Sequence, residues 1–167
     1  MDLQLRGRVA LVNAASRGIG YGIAEVLAAE GARLVISSRD ETAITAAAAR
    51  IAAKHQAEVI PVAADGSKAG TAGQLVARTV ASFGGLDILV NNSGGPPGGT
   101  FDDFGDAAWQ DAFDLLLLNV VRMVRAALPH LRASRNGRII NVASSAVKEP
   151  IPGLVLSNSL RAGVAGL

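Results

Sequence analysis

The stretch Arg8-Val9-Ala10-Leu11-Val12-Asn13-Ala14-Ala15-Ser16-Arg17-Gly18-Ile19-Gly20 sets the architecture of this chain. An apolar run rich in β-branched residues leads into a turn of small residues, and a helical pattern from Tyr21 to Glu30 follows. A buried strand, a tight turn and a helix N-terminus form an anion site, because free N–H groups and the helix dipole point at the same place. A Gly-rich turn alone is a weak signal, so an ordinary strand-to-helix turn stays an alternative at this point.

Composition limits the chain to one globular domain spanning residues 1–167. Half of the 167 residues are apolar, which is enough for one domain with a core. The formal net charge is +2 and no basic run or aromatic platform stands out, so we expect no nucleic-acid partner. No apolar run has the length of a membrane span, and the N-terminal residues lack the apolar region of a signal peptide. With no cysteine and two histidines, we expect no metal site and a cytoplasmic location.

Strand and helix patterns alternate along the whole chain. The predicted strands are 9–13, 33–37, 58–63, 87–91 and 138–142, and the predicted helices are 18–30, 40–54, 68–83, 107–133 and one from near 156 that still runs at 167. Continuous Val, Ile and Leu runs between helices predict a parallel sheet covered on both faces. This is a doubly wound α/β (Rossmann) fold, whose ligand should lie above the carboxyl ends of the strands.

The residues that follow the second strand bear on the choice of a dinucleotide cofactor. An acidic residue there would bind ribose hydroxyls, whereas a basic residue accommodates a 2′-phosphate. Arg39 offers a planar, permanently charged fork and Ser38 a hydroxyl donor, while Asp40 is best interpreted as the N-cap of the next helix. Arg17, within the first turn, could reach the same phosphate. The pattern favours NADP(H), with NAD(H) as the alternative, and either arginine by itself could also be an ordinary solvated residue.

Asp65, just past the third strand, has two interpretations that the sequence leaves open. It could accept a hydrogen bond from the adenine amino group of the cofactor. It could equally be a turn aspartate before Gly66.

Several motifs, in order and at fitting spacing, resemble those of the short-chain dehydrogenase/reductases, especially 3-oxoacyl-carrier-protein reductase. The first turn, at 13–20, resembles the family pattern Thr-Gly-x-x-x-Gly-x-Gly, and Asn91-Asn92-Ser93-Gly94 resembles Asn-Asn-Ala-Gly. Asn119 falls on the active-site Asn of the family, and Ser144 falls on its catalytic Ser.

The resemblance implies a function, a cofactor site and an assembly. We expect hydride transfer between NAD(P)(H) and a small carbonyl or alcohol substrate, with the nicotinamide near Asn92, Ser93 and Ser144. We also expect a homodimer or homotetramer that associates through the long helix and the last helix. The predicted cofactor-binding residues are Asn13, Ala15, Ser16, Arg17, Gly18, Ile19, Gly20, Ser38, Arg39, Asp65, Asn92, Ser93 and Gly94.

Three departures from the family pattern matter. Ala14 stands where the turn has its first glycine, and its methyl group can be accommodated if the φ angle there is negative. Ser157 and Arg161 stand where the family has its Tyr-x-x-x-Lys motif. The sequence ends at Leu167 inside a predicted helix, so we expect that the C-terminal part of the family fold is missing.

The second departure removes the usual acid–base catalyst. In the family the Tyr exchanges the proton on the substrate oxygen, and the Lys lowers the pKa of that Tyr. An aliphatic hydroxyl such as that of Ser157 is too weak an acid for one cation to activate, and Arg161 stays protonated although its fork could hold ribose hydroxyls. The predicted catalytic set is therefore Ser144, Asn119, Ser157 and Arg161, with a water delivering the proton. The alternative is a catalytically impaired nucleotide-binding protein that acts as a sensor or as a partner subunit.

Overall fold

Five parallel strands form one sheet in the computed structural model, which describes residues 3–167. The strand order is β3-β2-β1-β4-β5. The strands are β1 (Val9–Val12), β2 (Arg33–Ser38), β3 (Val59–Ala63), β4 (Ile88–Asn91) and β5 (Arg138–Asn141). The helices are α1 (Gly18–Ala29), α2 (Glu41–His55), α3 (Thr71–Phe83), α4 (Asp106–Phe113), α5 (Asn119–Ala133) and α6 (Val155–Ala165).

Alternate residues of the central strands fill two separate cores, one on each face of the sheet. Ala10 and Val12 of β1 pack with side chains of α1 and α2, whereas Leu11 packs on the other face with side chains of α3 and α5. All three are completely buried. Burial of a Val or Leu side chain contributes about 1.5–3 kcal/mol to stability, so the sheet is held from both sides. The predicted doubly wound α/β fold is confirmed.

Strand β5 differs from the expected sheet with two covered faces. Its four residues are all exposed, and Ile139 and Ile140 retain 40% and 46% of their accessible surface. Besides β4, with which it pairs, β5 has its main contact with α5 alone, so its faces stay largely uncovered.

The predicted helix 107–133 is present as a continuous helical stretch, but it is not α-helical throughout. A π-helical turn, Asp114–Leu118, separates α4 from α5. A π turn inserts an extra residue into the helical ladder and is frequent at functional sites. It ends directly before Asn119, so it sets the direction in which that side chain leaves the helix.

Two helix ends also differ from the prediction. α3 begins at Thr71 and not near Lys68, because Gly70 adopts a left-handed conformation with φ 86° and turns the chain just before the helix. α6 ends at Ala165 and does not continue to Leu167, since it closes at Gly166, a poor helix former.

Candidate functional site

An open cleft of about 480 Å³ lies at the carboxyl ends of the strands. It is bordered by the β1–α1 turn, the end of β2, the residues after β3 and the loop after β4. The predicted residues that line it are Asn13, Ser16, Arg17, Ile19, Ser38, Arg39, Asp65, Asn92, Ser93, Gly94 and Asn119. Sequence reasoning thus placed most of its cofactor residues around one cavity, and it did so at the edge of the sheet where such folds bind ligands.

Backbone geometry in the β1–α1 turn corrects one expectation. We expected a negative φ at Ala14, but the angle is 50°. The Ala14 backbone is therefore in the left-handed region that favours glycine. Gly18 has φ 61° and needs the same freedom without a side chain. The sequence could not reveal this, because the backbone angle follows from the surrounding hydrogen bonds.

Gly20 provides the close approach on which the turn depends. A Cβ atom on Gly20 would overlap the carbonyl oxygen of Ala14 and lie 2.7 Å from the amide nitrogen of Asn92. That amide nitrogen donates to the Ala14 carbonyl oxygen at 3.2 Å, so it ties the loop after β4 to the turn. The first N–H groups of α1 have no partner within the helix and are left available to an anion.

Two predicted cofactor residues hold the turn to β2. The backbone N–H of Ala15 donates to the carbonyl oxygen of Ser37 at 2.9 Å, and the Ala15 side chain is completely buried. The Ser37 hydroxyl donates to the side-chain oxygen of Asn13 at 3.0 Å. Ser37 was missed by sequence reasoning, although its place at the end of β2 was the signal. Ala15, Gly18 and Gly20 shape the turn and do not line the cleft.

Two arginines and one aspartate border the cleft and differ in their hydrogen-bond partners. Arg17 and Arg39 are exposed, and within residues 3–167 neither forms an ion pair with a carboxylate. Asp40 is the N-cap of α2, as predicted, because its side chain accepts a hydrogen bond from Ala43 N at 2.9 Å. The carboxylate is therefore committed to the helix, whereas both guanidinium groups keep their donors.

Asp65 forms a turn with the residues that follow it. One carboxylate oxygen accepts hydrogen bonds from the backbone N–H and the hydroxyl of Ser67, at 3.0 and 2.8 Å. Although burial opposes ionisation, these bonds and the charges of Arg39 and Lys68 lower the pKa of Asp65 below its ordinary value. The turn interpretation is confirmed, and because Asp65 also lines the cleft, adenine recognition stays a prediction.

Ser144 lies just beyond β5, at the same edge of the sheet. It is the N-cap of a short 3-10 turn, Ser145–Val147, and its oxygen accepts a hydrogen bond from Ala146 N at 3.2 Å. The hydroxyl hydrogen of Ser144 is then free to point at a ligand oxygen. Ser157 is buried in the first turns of α6 and lines neither the cleft nor the smaller cavity beside it.

Arg161 joins the ends of two strands. Its half-buried guanidinium donates to the carbonyl oxygen of Val142 at 3.3 Å and to that of Gly94 at 3.4 Å. Partial burial lowers the pKa of Arg161 below its ordinary value. The residue lines the smaller cavity, which also contacts Asn91 and Asn119.

Asn119 separates the cleft from the smaller cavity and lines both. It is buried, and its amide is packed so closely against Gly66 that a Cβ atom there would lie 2.9 Å from the amide nitrogen. Sequence reasoning placed this residue at the site, but it had no signal for the contact with Gly66.

The corner between β5 and α6 contains no phenol. Tyr21 is the only tyrosine of the sequence, and its ring packs 5.3 Å from the Arg50 guanidinium between α1 and α2. In the part of the chain from residue 3 onward, no group of His, Asp or Glu side chains could hold a metal ion, and no helix is long and apolar enough to cross a membrane. The groups that can meet a substrate oxygen here are hydroxyls, amides and one guanidinium.

Comparison with known proteins agrees with this geometry. Residues 8–167 match the short chain dehydrogenase family. The chain belongs to this family. A curated relative, 2,3-dihydroxy-2,3-dihydro-p-cumate dehydrogenase of Pseudomonas putida, is 34% identical over 165 residues, which cover 99% of this chain and 64% of that protein.

Two solved structures are similar to this chain over nearly its whole length. One is L-sorbose reductase from Gluconobacter frateurii, complexed with NADPH and L-sorbose, which is 35% identical to this chain with a TM-score of 0.95. The match covers 98% of this chain and 62% of that one. The other is an NADPH-bound short chain oxidoreductase from Pseudomonas aeruginosa PAO1, described as containing an atypical catalytic center. It is 30% identical to this chain with a TM-score of 0.91, and the match covers 95% of this chain and 62% of that one. The chain therefore spans less than two thirds of the length of these relatives.

Proposed function

We propose that the chain is an NADP(H)-dependent short-chain oxidoreductase that interconverts a carbonyl and a hydroxyl group. The observation that carries the proposal is the cleft above the N-terminus of α1. Gly20 lets the Ala14 carbonyl and the Asn92 amide pack against the start of the helix, and the first N–H groups of the helix are available to a pyrophosphate. The residues present therefore fit a dinucleotide.

The preference for NADP(H) over NAD(H) is supported by the charges at the end of β2. Arg39 and Arg17 both border the cleft with unpaired guanidinium groups, which suit a 2′-phosphate. Asp40, which could otherwise bind ribose hydroxyls, already caps α2. Relatives from Gluconobacter frateurii and Pseudomonas aeruginosa have NADPH in their structures, in line with this preference.

A bound nicotinamide supplies or takes up the hydride. Ser144 holds the substrate oxygen by donating its hydroxyl hydrogen, which the bond accepted from Ala146 N leaves free. With no tyrosine in this corner, a water polarised between Ser144, Ser157 and Arg161 delivers the proton. A positioned acid contributes about 10²–10⁴-fold to such a step, so we expect turnover slower by about that factor. The relative described as having an atypical catalytic center supports a working enzyme without the usual set.

The test is NADPH oxidation by the protein over a panel of ketones, aldehydes and one 3-oxoacyl thioester, beside an NADPH titration. We expect saturable NADPH binding and turnover above background with at least one carbonyl. Ser144→Ala should reduce the rate by at least tenfold and leave the Kd for NADPH unchanged, whereas the matched control Ser159→Ala, on the exposed side of α6, should change neither. The molar mass of the same preparations in solution, measured by light scattering, tests the proposed homodimer or homotetramer.

The absence of a phenol favours a second candidate, a nucleotide-binding protein that acts as a sensor or as a partner subunit. This function needs the cleft and the cofactor but no proton donor. Tight NADPH binding combined with background turnover across the whole panel would support it and overturn the oxidoreductase.

A further inference from the structure

The guanidinium of Arg161 lacks an acidic partner. Its two hydrogen bonds go to the backbone oxygens of Val142 and Gly94, at 3.3 and 3.4 Å, and no Asp or Glu from residue 3 onward forms an ion pair with it. Two other partly buried arginines have such partners, since Arg8 lies 3.7 Å from Asp87 and Arg122 lies 3.6 Å from Asp114. Among the described residues Arg33 has none, but its guanidinium packs over the Phe83 ring. Among the described residues, Arg161 is thus a half-buried cation without an acidic partner.

A guanidinium has five N–H donors, and Arg161 uses only two of them within the protein. Taking a cation out of water is unfavourable unless it gains a counter-charge and further hydrogen bonds. The planar fork matches a carboxylate, which can accept two parallel bonds from it. An anion from outside the chain is the partner that satisfies this arrangement.

The position of Arg161 indicates where such an anion would come from. Val142 follows β5 and Gly94 lies in the loop after β4, so the guanidinium stands at the carboxyl edge of the sheet, near the loop that begins the Ser144 turn. Ser157 precedes it by one turn of α6, on the same helix face. The smaller cavity that Arg161 lines holds only about 10 Å³, so a substrate anion would approach the fork from its solvent-exposed side.

We propose that Arg161 binds a carboxylate of the substrate, so that the enzyme acts on small keto acids or hydroxy acids. This assignment rests on the proposed oxidoreductase function. The pyrophosphate and the 2′-phosphate of the cofactor have their own partners at the α1 N-terminus and at Arg39, which leaves the charge of Arg161 for the substrate. In this role Arg161 determines specificity and positions the carbonyl, in addition to its contact with the water that delivers the proton.

The kinetic test compares substrates that differ only in the carboxylate, levulinate against hexane-2,5-dione and pyruvate against butane-2,3-dione. Arg161→Gln removes the charge and should raise KM for the keto acids about 10- to 100-fold, as expected for lost hydrogen bonds to a charged group, with less than a twofold change for the diketones. Arg161→Lys keeps the charge without the fork and should fall between the two. Arg135→Gln, an exposed position beyond α5, is the matched control and should leave both substrates unaffected.

A second readout needs no turnover. Calorimetric titration of levulinate into the NADP+-loaded protein should show saturable binding that Arg161→Gln abolishes, with the Kd for NADP+ unchanged. Equal losses for keto acid and diketone, or a loss of NADP+ affinity in place of levulinate affinity, would overturn the assignment and make Arg161 a structural clamp or a ribose contact. Carboxylate binding that depends on Arg161 without turnover on any carbonyl would refute the oxidoreductase and leave the anion site standing.

Discussion

The cleft at β1 and α1 and the corner between β5 and α6 occupy the same edge of one sheet but are built differently. The cleft is formed largely by backbone, with the N-terminus of α1 below it and the Asn92 amide bracing the Ala14 carbonyl at 3.2 Å. The corner depends on side chains, of which Ser144 and Arg161 each make hydrogen bonds to backbone groups. The first region carries the motifs that resemble the family pattern, whereas the second has Ser157 and Arg161 at the positions where the resemblance implies Tyr and Lys.

Under the proposed function, cofactor binding and proton transfer depend on separate parts of this fold. A backbone cradle tolerates changes of side chain, since even the exchange of glycine for Ala14 is absorbed at φ 50°. A proton donor cannot be replaced in this way, because its function lies in the pKa and reach of one side chain. Four variants test this separation, two in the β1–α1 turn, one at the rim of the cleft and one in the corner.

The largest effect is expected from rebuilding the corner. Ser157→Tyr combined with Arg161→Lys restores the phenol and the cation that lowers its pKa, so the rate of NADPH oxidation with an uncharged ketone should rise about 10²–10⁴-fold. Ser159→Tyr with Arg161→Lys places the phenol on the exposed side of α6 and should gain nothing. A thermal unfolding curve checks that Tyr is accommodated at the buried position 157. An unchanged rate in a folded double variant would mean that another group already delivers the proton.

The next effect concerns the cradle itself. Gly20→Ala adds a methyl group that overlaps the Ala14 carbonyl oxygen, and overpacking of this kind costs about 1–3 kcal/mol, so NADPH affinity should fall about 10- to 100-fold. Gly22→Ala lies two residues further along α1, where a Cβ atom meets nothing within 4 Å, and it should leave affinity intact. Fluorescence titration with NADPH separates the two. Equal affinities for both variants would show that the turn does not hold the cofactor.

Charge at the rim of the cleft gives a smaller and more selective effect. Arg39→Asp removes the fork assigned to the 2′-phosphate and adds a carboxylate, so NADPH should bind at least tenfold more weakly while NADH binds no worse. Arg135→Asp makes the same change of charge away from the site and corrects for long-range electrostatics. If Arg39→Asp changes the affinities for NADPH and NADH by the same factor, Arg39 does not bind the 2′-phosphate.

Relief of backbone strain is the smallest effect. Ala14→Gly removes the left-handed alanine and should stabilise the fold by up to about 1 kcal/mol, because the native strain outweighs the added freedom of the unfolded chain. Gln56→Gly at the end of α2, with φ 53°, should stabilise similarly without touching the cleft. Denaturant unfolding measures both. A destabilised Ala14→Gly protein would show that the alanine methyl contributes packing that its angle does not suggest.

Sequence patterns predicted the strands to within a residue or two because each central strand carries an uninterrupted apolar run between turn residues. They missed the π turn at Asp114–Leu118, since four consecutive leucines fit a helix of either pitch. The exposure of Ile139 and Ile140 was also missed, because an apolar strand looks the same at the edge of a sheet as in its centre.

The cleft could be predicted more completely than the corner for a related reason. A phosphate-binding turn is formed by consecutive residues. Arg17 and Asn92 could therefore be assigned from short sequence motifs. The contacts of Arg161 with Gly94 and Val142 join residues 67 and 19 positions apart, which no local pattern encodes. Asn119 illustrates both cases, because its position followed from a motif while its packing against Gly66 followed only from the fold.

Equilibrium titration of the unmodified protein with NADPH and with NADH tests the central claim most directly. If the cleft has kept its binding function while the corner has lost its usual catalyst, NADPH should bind saturably and at least tenfold more tightly than NADH. The absence of saturable binding, or equal affinities for the two cofactors, would contradict the account.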